Sequence, residues 1–542
     1  MKTKPRPNRR GFLRVVAAGA LGPAVRRTAG LTGTLQMNPA DFSPRVERWG
    51  IQELTLETPR TYANPFRDVQ LEGRFGCSGK NVVARGFYDG DHTWKVRLMP
   101  EVEGNWAFET VSNDPELNGN RGSFACIAPQ TGNHGPVRVE NQFHFGYADG
   151  SPLYVVGTTL YNWLHRNDRL QKETLETLKR GLFNKIRSLV LPQWGAYNNV
   201  EPVDYPYVQT SPGKFDFDRF NPVYFQEIER RLVDLQAIGV EADLILFHPY
   251  EKWGFSKLSQ ALDDAYLEYV TARLSAYRNV WWSMANEFDY IQPAKDWDRV
   301  FRVIQQSDPY DHLRSIHNGQ MWYDDSKSWV THCSIQLQGG DTYDTGLGAR
   351  MRYGKPVIID EYGYEGNNKM DWGDLSGGRE TARHWGAAMS GAYASHGETY
   401  VHPGEIVWSA VGGELVGESP ARIHFLEQVV GTMPYQQLEP MPFPVNGGSA
   451  LGKKGEAYLY RFTDTGYRRV FELVLEGSSP FSVELIDPWL MKVYVLGDVQ
   501  PGVHSFRLPF VPAILRMKNA GRLGPASASL SDLLSMWDTP RA

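Results

Sequence analysis

NVWWSMANEFDY, residues 279–290, and KPVIIDEYG, residues 355–363, are the two stretches that decide the fold. Each contains a short apolar run of the kind that a doubly buried parallel strand requires. The first run ends at Glu287, and the second ends at Asp360 and Glu361. In a (β/α)8 barrel, the carboxyl ends of the strands face one mouth, so two acids distant in the sequence can meet there. The two stretches therefore predict an α/β fold, a (β/α)8 TIM barrel that carries a pair of acids.

The middle of the chain, residues 143–432, alternates strand and helix patterns, which is typical of a parallel sheet. The eight predicted strands are Tyr154–Thr159, Lys185–Leu191, Ala242–Phe247, Val280–Ala285, Arg314–His317, Thr331–Leu337, Val357–Asp360 and Ala394–Val401. The predicted helices are Lys172–Gly181, Tyr224–Ile238, Asp263–Tyr277, Trp297–Gln306, Arg379–Met389 and Pro420–Val430. This order predicts that residues 143–432 form the barrel.

Both flanks of the predicted barrel alternate polar and apolar residues with a period of two. Gly, Asp and Asn interrupt the alternation over residues 46–135, which predicts an immunoglobulin-like β-sandwich. The same alternation over residues 433–520 predicts a second β-sandwich, followed by a tail at 521–542. Residues 143–156 predict a hairpin that turns at Asp149 and Gly150 and leads into the barrel.

The first 34 residues resemble an export signal of the twin-arginine type. Arg9 and Arg10 are followed by one other residue and then by Phe12 and Leu13, which is the twin-arginine pattern. The apolar run that follows is too short to cross a membrane as a mature helix. We therefore expect a periplasmic or secreted protein that has no membrane attachment once the signal is removed.

Composition limits the function further. The net charge of −5 gives no electrostatic reason to expect nucleic acid or an anionic membrane as a partner. Aromatic residues make up 13% of the chain, and their flat faces suit sugar rings, although β-rich proteins also use aromatics in strands. Cys77, Cys126 and Cys333 lack the spacing of a metal site, so no metal and no cofactor are expected. Cys77 and Cys126 could form a disulfide or remain buried thiols. The oligomeric state is not predicted.

Two carboxyl groups on opposite sides of a sugar ring are what hydrolysis of a glycosidic bond requires. We assign Glu287 as the general acid/base and Glu361 as the nucleophile, about 5 to 5.5 Å apart as retention of configuration requires. Asp360 is expected to orient its neighbour, since adjacent residues on a strand point to opposite sides. Polar and aromatic residues predicted to bind the substrate at the same mouth are Asn286, His248, Tyr161, Trp163, Trp194, His317, Gln336, Tyr362, Glu398 and Trp408. Each could instead serve packing, and Glu398 is also the alternative catalytic acid.

Asn286-Glu287 and Glu361 at strand ends resemble the signature of the clan A glycoside hydrolases, which are retaining enzymes on a (β/α)8 barrel. Runs such as GTTLYNW, EADLILFHPYEKWGF, VIIDEYGYEG and GESPARIHFL resemble bacterial apiosidase-like proteins. Those proteins carry an N-terminal immunoglobulin-like domain and a C-terminal β-domain, and the resemblance covers nearly everything after the signal. It implies that Asn286 hydrogen-bonds the 2-hydroxyl of a sugar. It does not imply which sugar is released.

The sequence thus predicts an exported, retaining glycoside hydrolase that acts on a plant or microbial glycan or glycoside by double displacement. A non-catalytic carbohydrate-binding scaffold is one alternative. A cofactor-bearing exported oxidoreductase is another, but the sequence has no GxGxxG after a strand, no cysteine ligand set and no haem motif.

Overall fold

A computed structural model describes residues 44–195, 197–337, 339–404, 406–443, 448–463 and 470–519, together with the backbone of 14–16. Apart from a short strand, Arg14–Val16, the predicted signal lies outside the described residues, as does the predicted tail at 521–542. Among the residues that are described, no helix is long and apolar enough to cross a membrane.

Eight parallel strands form one barrel-like sheet at the centre of the protein. They are β1 Val156–Thr159, β2 Lys185–Leu189, β3 Glu241–Phe247, β4 Val280–Ala285, β5 Arg314–Ser315, β6 Cys333–Gln336, β7 Val357–Glu361 and β8 Tyr393–His396. Their order in the sheet is 5-4-3-2-1-8-7-6. A parallel bridge between His317 and Ser334 joins the two ends of the sheet. The prediction of a TIM-like barrel is therefore confirmed, and all eight predicted strands form.

Helices connect most of these strands. They are α1 Asp168–Leu178, α2 Pro222–Ala237, α3 Gln260–Leu274, α4 Trp297–Ser307, α5 Thr342–Tyr353, α6 Gly377–Met389, α7 Trp408–Val411 and α8 Ser419–Gly431. The six predicted helices are all present within a few residues. An antiparallel hairpin of Tyr207–Ser211 and Lys214–Phe220 precedes α2, and none of the described residues 316–332 between β5 and β6 is helical.

Helix α5 was not predicted. Gly346 and Gly348 lie in it and lower its helix propensity. Its two ends nevertheless carry the expected signals: the Asp341 carboxylate accepts from the N–H of Tyr343 at 2.8 Å, and Gly354 ends the helix with a φ of 65°. Capping and burial thus form a helix that internal propensity alone does not indicate.

The amino-terminal end of the barrel is closed by a three-stranded sheet of Val137–Glu140, His144–Tyr147 and Pro152–Leu153. The predicted hairpin at Asp149-Gly150 is confirmed by the pairing of Phe145 with Leu153. The Phe145 ring lies 5.3 Å from the rings of both Trp281 and Tyr393, centroid to centroid. The opposite end, where the strands end in polar residues, is left open.

Two sheets precede the barrel and share one buried cluster that includes Leu54, Val96, Phe75 and Trp106. In one sheet the strands lie in the order Arg14–Val16, Gln52–Glu57, Thr93–Leu98 and Phe87–Gly90. The other contains, in order, Arg45–Glu47, Arg121–Ile127, Gly104–Ser112, Leu71–Cys77 and Lys80–Arg85. A short helix, Pro65–Asp68, lies between strands.

Cys77 and Cys126 are both buried and unpaired, on strands that flank Gly104–Ser112. Of the two alternatives that the sequence left open, the structure has free thiols.

After the barrel, a six-stranded sheet contains Glu439–Met441, Gly448–Lys453, Ala457–Phe462, Ala513–Asn519, Phe481–Asp487 and Lys492–Val499. A second sheet pairs Val470–Leu475 with Gly502–Arg507, and both sheets contribute to one buried cluster.

A buried ion cluster fixes the first β-region to the barrel. Arg97 donates from Nη2 to Glu229 of α2 at 2.8 Å and from Nη1 to the carbonyl of Arg273 at 2.8 Å. Arg273 in turn lies 2.6 Å from Glu229 and 2.7 Å from Asp89. The flanking region and the barrel are therefore held together by charge-assisted hydrogen bonds rather than by apolar packing alone.

Candidate active site

Glu287 and Glu361 line the same cavity, about 560 Å³ in volume, at the open end of the barrel. Glu361 is the last residue of β7, and Glu287 lies two residues after β4. Every residue of the run VWWSMA in β4 is buried, so the strand is fixed by packing on both faces before the chain reaches its acid. The barrel therefore brings together two glutamates that lie far apart in the sequence.

The backbone at Glu287 is unusual. Its φ is 45°, in the left-handed region, where a non-glycine residue costs of order 1–3 kcal/mol. The N–H of the next residue, Phe288, donates to the carbonyl of His317 at 3.0 Å and so ties this turn to the end of β5. Such strain is concentrated at functional sites, where the surrounding structure holds a side chain in one direction.

Three donors surround the carboxylate of Glu361. Arg187 Nη1 lies 3.3 Å and His317 Nε2 lies 3.2 Å from Oε1, and the hydroxyl of Tyr161 donates to the same atom. Burial opposes ionisation of Glu361, but these donors outweigh it and hold its pKa well below the ordinary value of a glutamate. Burial, aided by the charge of Arg187, lowers the pKa of His317, so that ring is neutral.

Glu287 has the opposite environment. Burial, and next the negative charge of Glu361, raise the pKa of Glu287 well above its ordinary value. The hydroxyl of Tyr250 donates to its Oε2, which favours the ionised form but does not reverse the shift. The cavity thus holds one carboxyl group that stays ionised and one that keeps its proton up to about neutral pH, which is the division of roles that acid/base chemistry requires.

The comparisons with known proteins agree with this geometry. A sequence profile described as the apiosidase-like catalytic domain matches residues 139–414, more than half of the chain. This chain belongs to the apiosidase-like family. A second profile, DUF5060, a domain of unknown function, matches residues 45–113 of this apiosidase-like protein. No curated protein matches the chain in sequence.

Solved structures resemble the apiosidase-like chain over most of its length. A Bacteroides vulgatus protein provisionally named a glycoside hydrolase is 35% identical with a TM-score of 0.81, over 88% of this chain and 100% of that one. A family 5 glycoside hydrolase from the same organism is 16% identical with a TM-score of 0.60, over 75% and 99% of the two chains. At that lower identity the likeness shows the fold alone. Family and fold together support a glycosidase.

Five of the predicted substrate-binding residues line the cavity: Asn286, Tyr161, Gln336, His248 and Tyr362. The amide of Asn286 is oriented by Arg187, whose Nη2 donates to Oδ1 at 3.1 Å. The neutral ring of His248 accepts from the N–H of Tyr250 at 3.2 Å and donates from Nε2 to a carbonyl at 3.1 Å. His248 therefore positions Tyr250, which is itself in contact with Glu287.

Tyr362 is less available than its position suggests. Its hydroxyl donates to Glu380 at 3.0 Å and contacts His384, so it points away from Glu361. Only other parts of this residue face the cavity, and we expect it to support the wall rather than to bind a sugar hydroxyl.

The other predicted binding residues do not line the cavity. The fully buried ring of His317 contacts the carboxylate of Glu361. Trp163 and Trp408 are fully buried, and their indole N–H groups donate to the Gln171 carbonyl at 3.3 Å and to Thr158 at 2.8 Å. For both, burial in the packed interior argues against direct contact with a ligand.

Glu398 and Trp194 also lie elsewhere. The two carboxylate oxygens of Glu398 accept from the N–H groups of Val416 and Gly417, each at 2.9 Å. This buried glutamate fixes the loop before α8, which argues against its being the alternative catalytic acid. Trp194 packs at the rim, where Lys252 Nζ lies 3.1 Å above its ring.

The sequence did not predict five residues that line the cavity, namely Tyr364, Trp372, Tyr197, Asn198 and Arg383. It also did not predict Arg187, which is buried and contacts Glu361. Arg187 lies inside β2, where the run KIRSL carries two basic residues at alternate positions, Lys185 and Arg187. Two cations on one face of a buried strand are a signal that could have been used. Tyr364 and Trp372 lie in the loop after β7, where no pattern marks them.

Within the part of the chain that is described, no group of three or more His, Cys, Asp or Glu side chains is arranged to hold a metal ion.

Proposed function

We propose that this protein is an exported, retaining glycoside hydrolase. The observation that carries the proposal is the pair Glu287 and Glu361, which share one cavity with pKa values shifted in opposite directions. A retaining glycosidase needs one carboxylate as nucleophile and one carboxylic acid as proton donor.

In the first step, a carboxylate oxygen of Glu361 attacks the anomeric carbon while the bond to the leaving oxygen breaks. Glu287 gives its proton to that oxygen, so the leaving group departs as a neutral alcohol. Arg187, His317 and Tyr161 keep Glu361 ionised for the attack. The amide of Asn286, held by Arg187, is available to the 2-hydroxyl of the sugar in the way that the clan A resemblance implies.

In the second step, Glu287, now ionised, takes a proton from water. The water oxygen attacks the anomeric carbon and the ester bond to Glu361 breaks, which restores both carboxyl groups. Two inversions give retention of configuration.

The test is hydrolysis of a panel of aryl glycosides, including the apioside, and of plant oligosaccharides, with ¹H NMR of the first anomer released. We expect one sugar of the panel to be released with retained configuration. Inversion would remove the nucleophile role from Glu361, and inactivity on the whole panel would favour the scaffold alternative.

The non-catalytic scaffold gives no account of the two opposite pKa shifts. A site that only binds a sugar does not need a carboxylic acid beside a carboxylate, and burying such a pair costs free energy.

We expect Trp372 to provide the aromatic face for the sugar. It lines the cavity, is 46% exposed, and lies edge-on to Tyr364 with ring centroids 5.8 Å apart. Its carbonyl accepts from the N–H of Tyr364 at 2.6 Å, which fixes the loop. Trp372→Ala should raise KM about tenfold with little change in kcat, since one stacked ring contributes about 1 kcal/mol or more.

Initial-rate kinetics on the best glycoside of the panel measure this effect. Met370→Ala in the same loop is the matched control, because Met370 is exposed but does not line the cavity. Trp372→Phe should recover part of the loss. An unchanged KM in Trp372→Ala would place the sugar elsewhere in the cavity.

We also propose that the protein is exported by the twin-arginine route and that its two flanking β-regions are β-sandwiches. Arg9→Lys/Arg10→Lys should leave the protein in the cytoplasm when cells are fractionated, whereas the wild type should reach the periplasm or the medium. Equal distribution of the two forms would contradict this route.

A further inference from the structure

The interior of the barrel carries charges where branched apolar side chains are usual. Lys185 and Arg187 of β2, Asp243 of β3 and Asp360 of β7 all have fully buried side chains. Of these four side chains, that of Arg187 donates hydrogen bonds to Glu361 and Asn286. Lys185 and Asp243 touch neither glutamate, and the mechanism above does not use them.

These residues form a connected ion triad, Lys185–Asp243–Asp360. Lys185 Nζ lies 2.9 Å from Asp243 Oδ2 and 3.0 Å from Asp360 Oδ1. Asp360 also accepts hydrogen bonds from Ser334 and Ser395, each at 2.6 Å. The ammonium group of Lys185 thus bridges the carboxylates of Asp243 and Asp360, and it lies closer to both than Arg187 does.

Arg187 lies between this triad and the active site. Its Nε is 3.9 Å from both Asp243 Oδ2 and Asp360 Oδ2, while its two terminal nitrogens bind Glu361 and Asn286. Without Lys185, the two aspartates would have only Arg187 as a near cation. Their attraction would then draw the guanidinium away from Glu361.

We propose that Lys185 is a positioning residue for the glycosidase reaction: its ammonium group, shared with Asp243, neutralises Asp360 and so leaves Arg187 free to hold Glu361. This inference rests on the proposed function only for its effect on rate. Its effect on Glu361 can be measured without any substrate.

The net charge of this group predicts whether each substitution raises or lowers the pKa of Glu361. Lys185 and Arg187 face the three carboxylates Asp243, Asp360 and Glu361, so the group carries one net negative charge. Other titratable groups that face Glu361 or the triad from the surrounding elements are Tyr161, Tyr250, Glu287, His317, His332 and Tyr364. Burial lowers the pKa of both His317 and His332, so neither adds positive charge at neutral pH. Lys185 is therefore not replaceable by a neighbouring cation.

The experiment follows the ¹³C carboxyl resonance of Glu361 against pH in protein labelled with [5-¹³C]glutamate, assigned by its loss in Glu361→Gln. Lys185→Met should raise the pKa of Glu361 by at least about one pH unit, as expected for loss of a compensating charge. Asp243→Asn should leave the titration of Glu361 at or below its wild-type position. The double variant keeps the wild-type net charge and should titrate close to wild type.

Ser395→Ala is the matched control, because it removes a hydrogen bond to Asp360 without changing charge, and the titration of Glu361 should not move. If the enzyme is active, the pKa of the acid limb of kcat/KM should change across the variants in the same direction as the pKa of Glu361 measured by NMR. If Lys185 only supported packing, its substitution would lower stability without raising the pKa of Glu361, and the double variant would not restore the wild-type titration.

If Lys185→Met does not fold, Asp243→Asn and the double variant still decide, because replacing both members of a buried ion pair is often tolerated. A raised pKa of Glu361 in Asp243→Asn, or in the double variant, would overturn the proposal. Absence of glycosidase activity in the wild type would contradict the proposed function and leave the NMR result standing.

Discussion

Glu361→Gln is expected to lower kcat/KM by about 10⁴-fold or more, the largest effect of any single substitution in this protein. The amide cannot form the glycosyl ester, so the first step has no nucleophile. The loss should appear with every leaving group, because no leaving group replaces the missing bond to the anomeric carbon. Steady-state kinetics on the best glycoside of the panel measure it.

The matched control for this substitution is Asp371→Asn, which removes a carboxylate from the exposed edge of the same cavity. That variant should retain activity within a few-fold, as expected for an exposed charge. In the wild type, a 2-deoxy-2-fluoro glycosyl fluoride of the active sugar should label the peptide that contains Glu361. Survival of activity in Glu361→Gln would move the nucleophile elsewhere.

The sequence determines the barrel well because apolar runs and abrupt polar ends record how each strand is buried. The local sequence places an acid at the end of a strand in both VWWSMANE and VIIDEYG, independently of the loops. The barrel topology then brings Glu287 and Glu361 to the same mouth. Asn286, Tyr161 and His248 follow in the same way, as polar residues one to three positions after a buried strand. All of them line the cavity.

The roles of residues whose neighbours lie on several strands could not be predicted from the local sequence pattern. Trp408 and Glu398 look like site residues in sequence, yet the first donates to Thr158 and the second binds the loop before α8. Their neighbours are distant in sequence, and only the closed barrel brings them together. Arg187 was not predicted because a cation inside a strand resembles an exposed position. Its partners, Asp243 and Glu361, lie on other strands.

Glu287→Gln is expected to lower kcat/KM by about 10²- to 10⁴-fold for glycosides with poor leaving groups. The amide cannot donate the proton that an alkyl or sugar leaving group needs. A dinitrophenyl leaving group needs no proton, so its first step should proceed at nearly the wild-type rate. The glycosyl ester should then accumulate, since the water of the second step has lost its base.

The pH profile tests the same assignment. In the wild type, activity should fall as pH rises through the raised pKa of Glu287, and should fall again as pH drops through the lowered pKa of Glu361. Glu287→Gln should lose the alkaline limb and keep the acid limb. Tyr250→Phe should move the alkaline limb upward, because the Tyr250 hydroxyl favours the ionised form of Glu287.

Azide separates loss of the acid/base from general damage to the site. Azide needs no base to attack the glycosyl ester, so it should restore turnover of the dinitrophenyl substrate in Glu287→Gln and yield the glycosyl azide with retained configuration. Glu361→Gln should not give this product, because it forms no ester. If Glu287→Gln kept its alkaline limb, or lost activity equally with all leaving groups, the proton donor would be another group, and the raised pKa of Glu287 would reflect burial without a catalytic role.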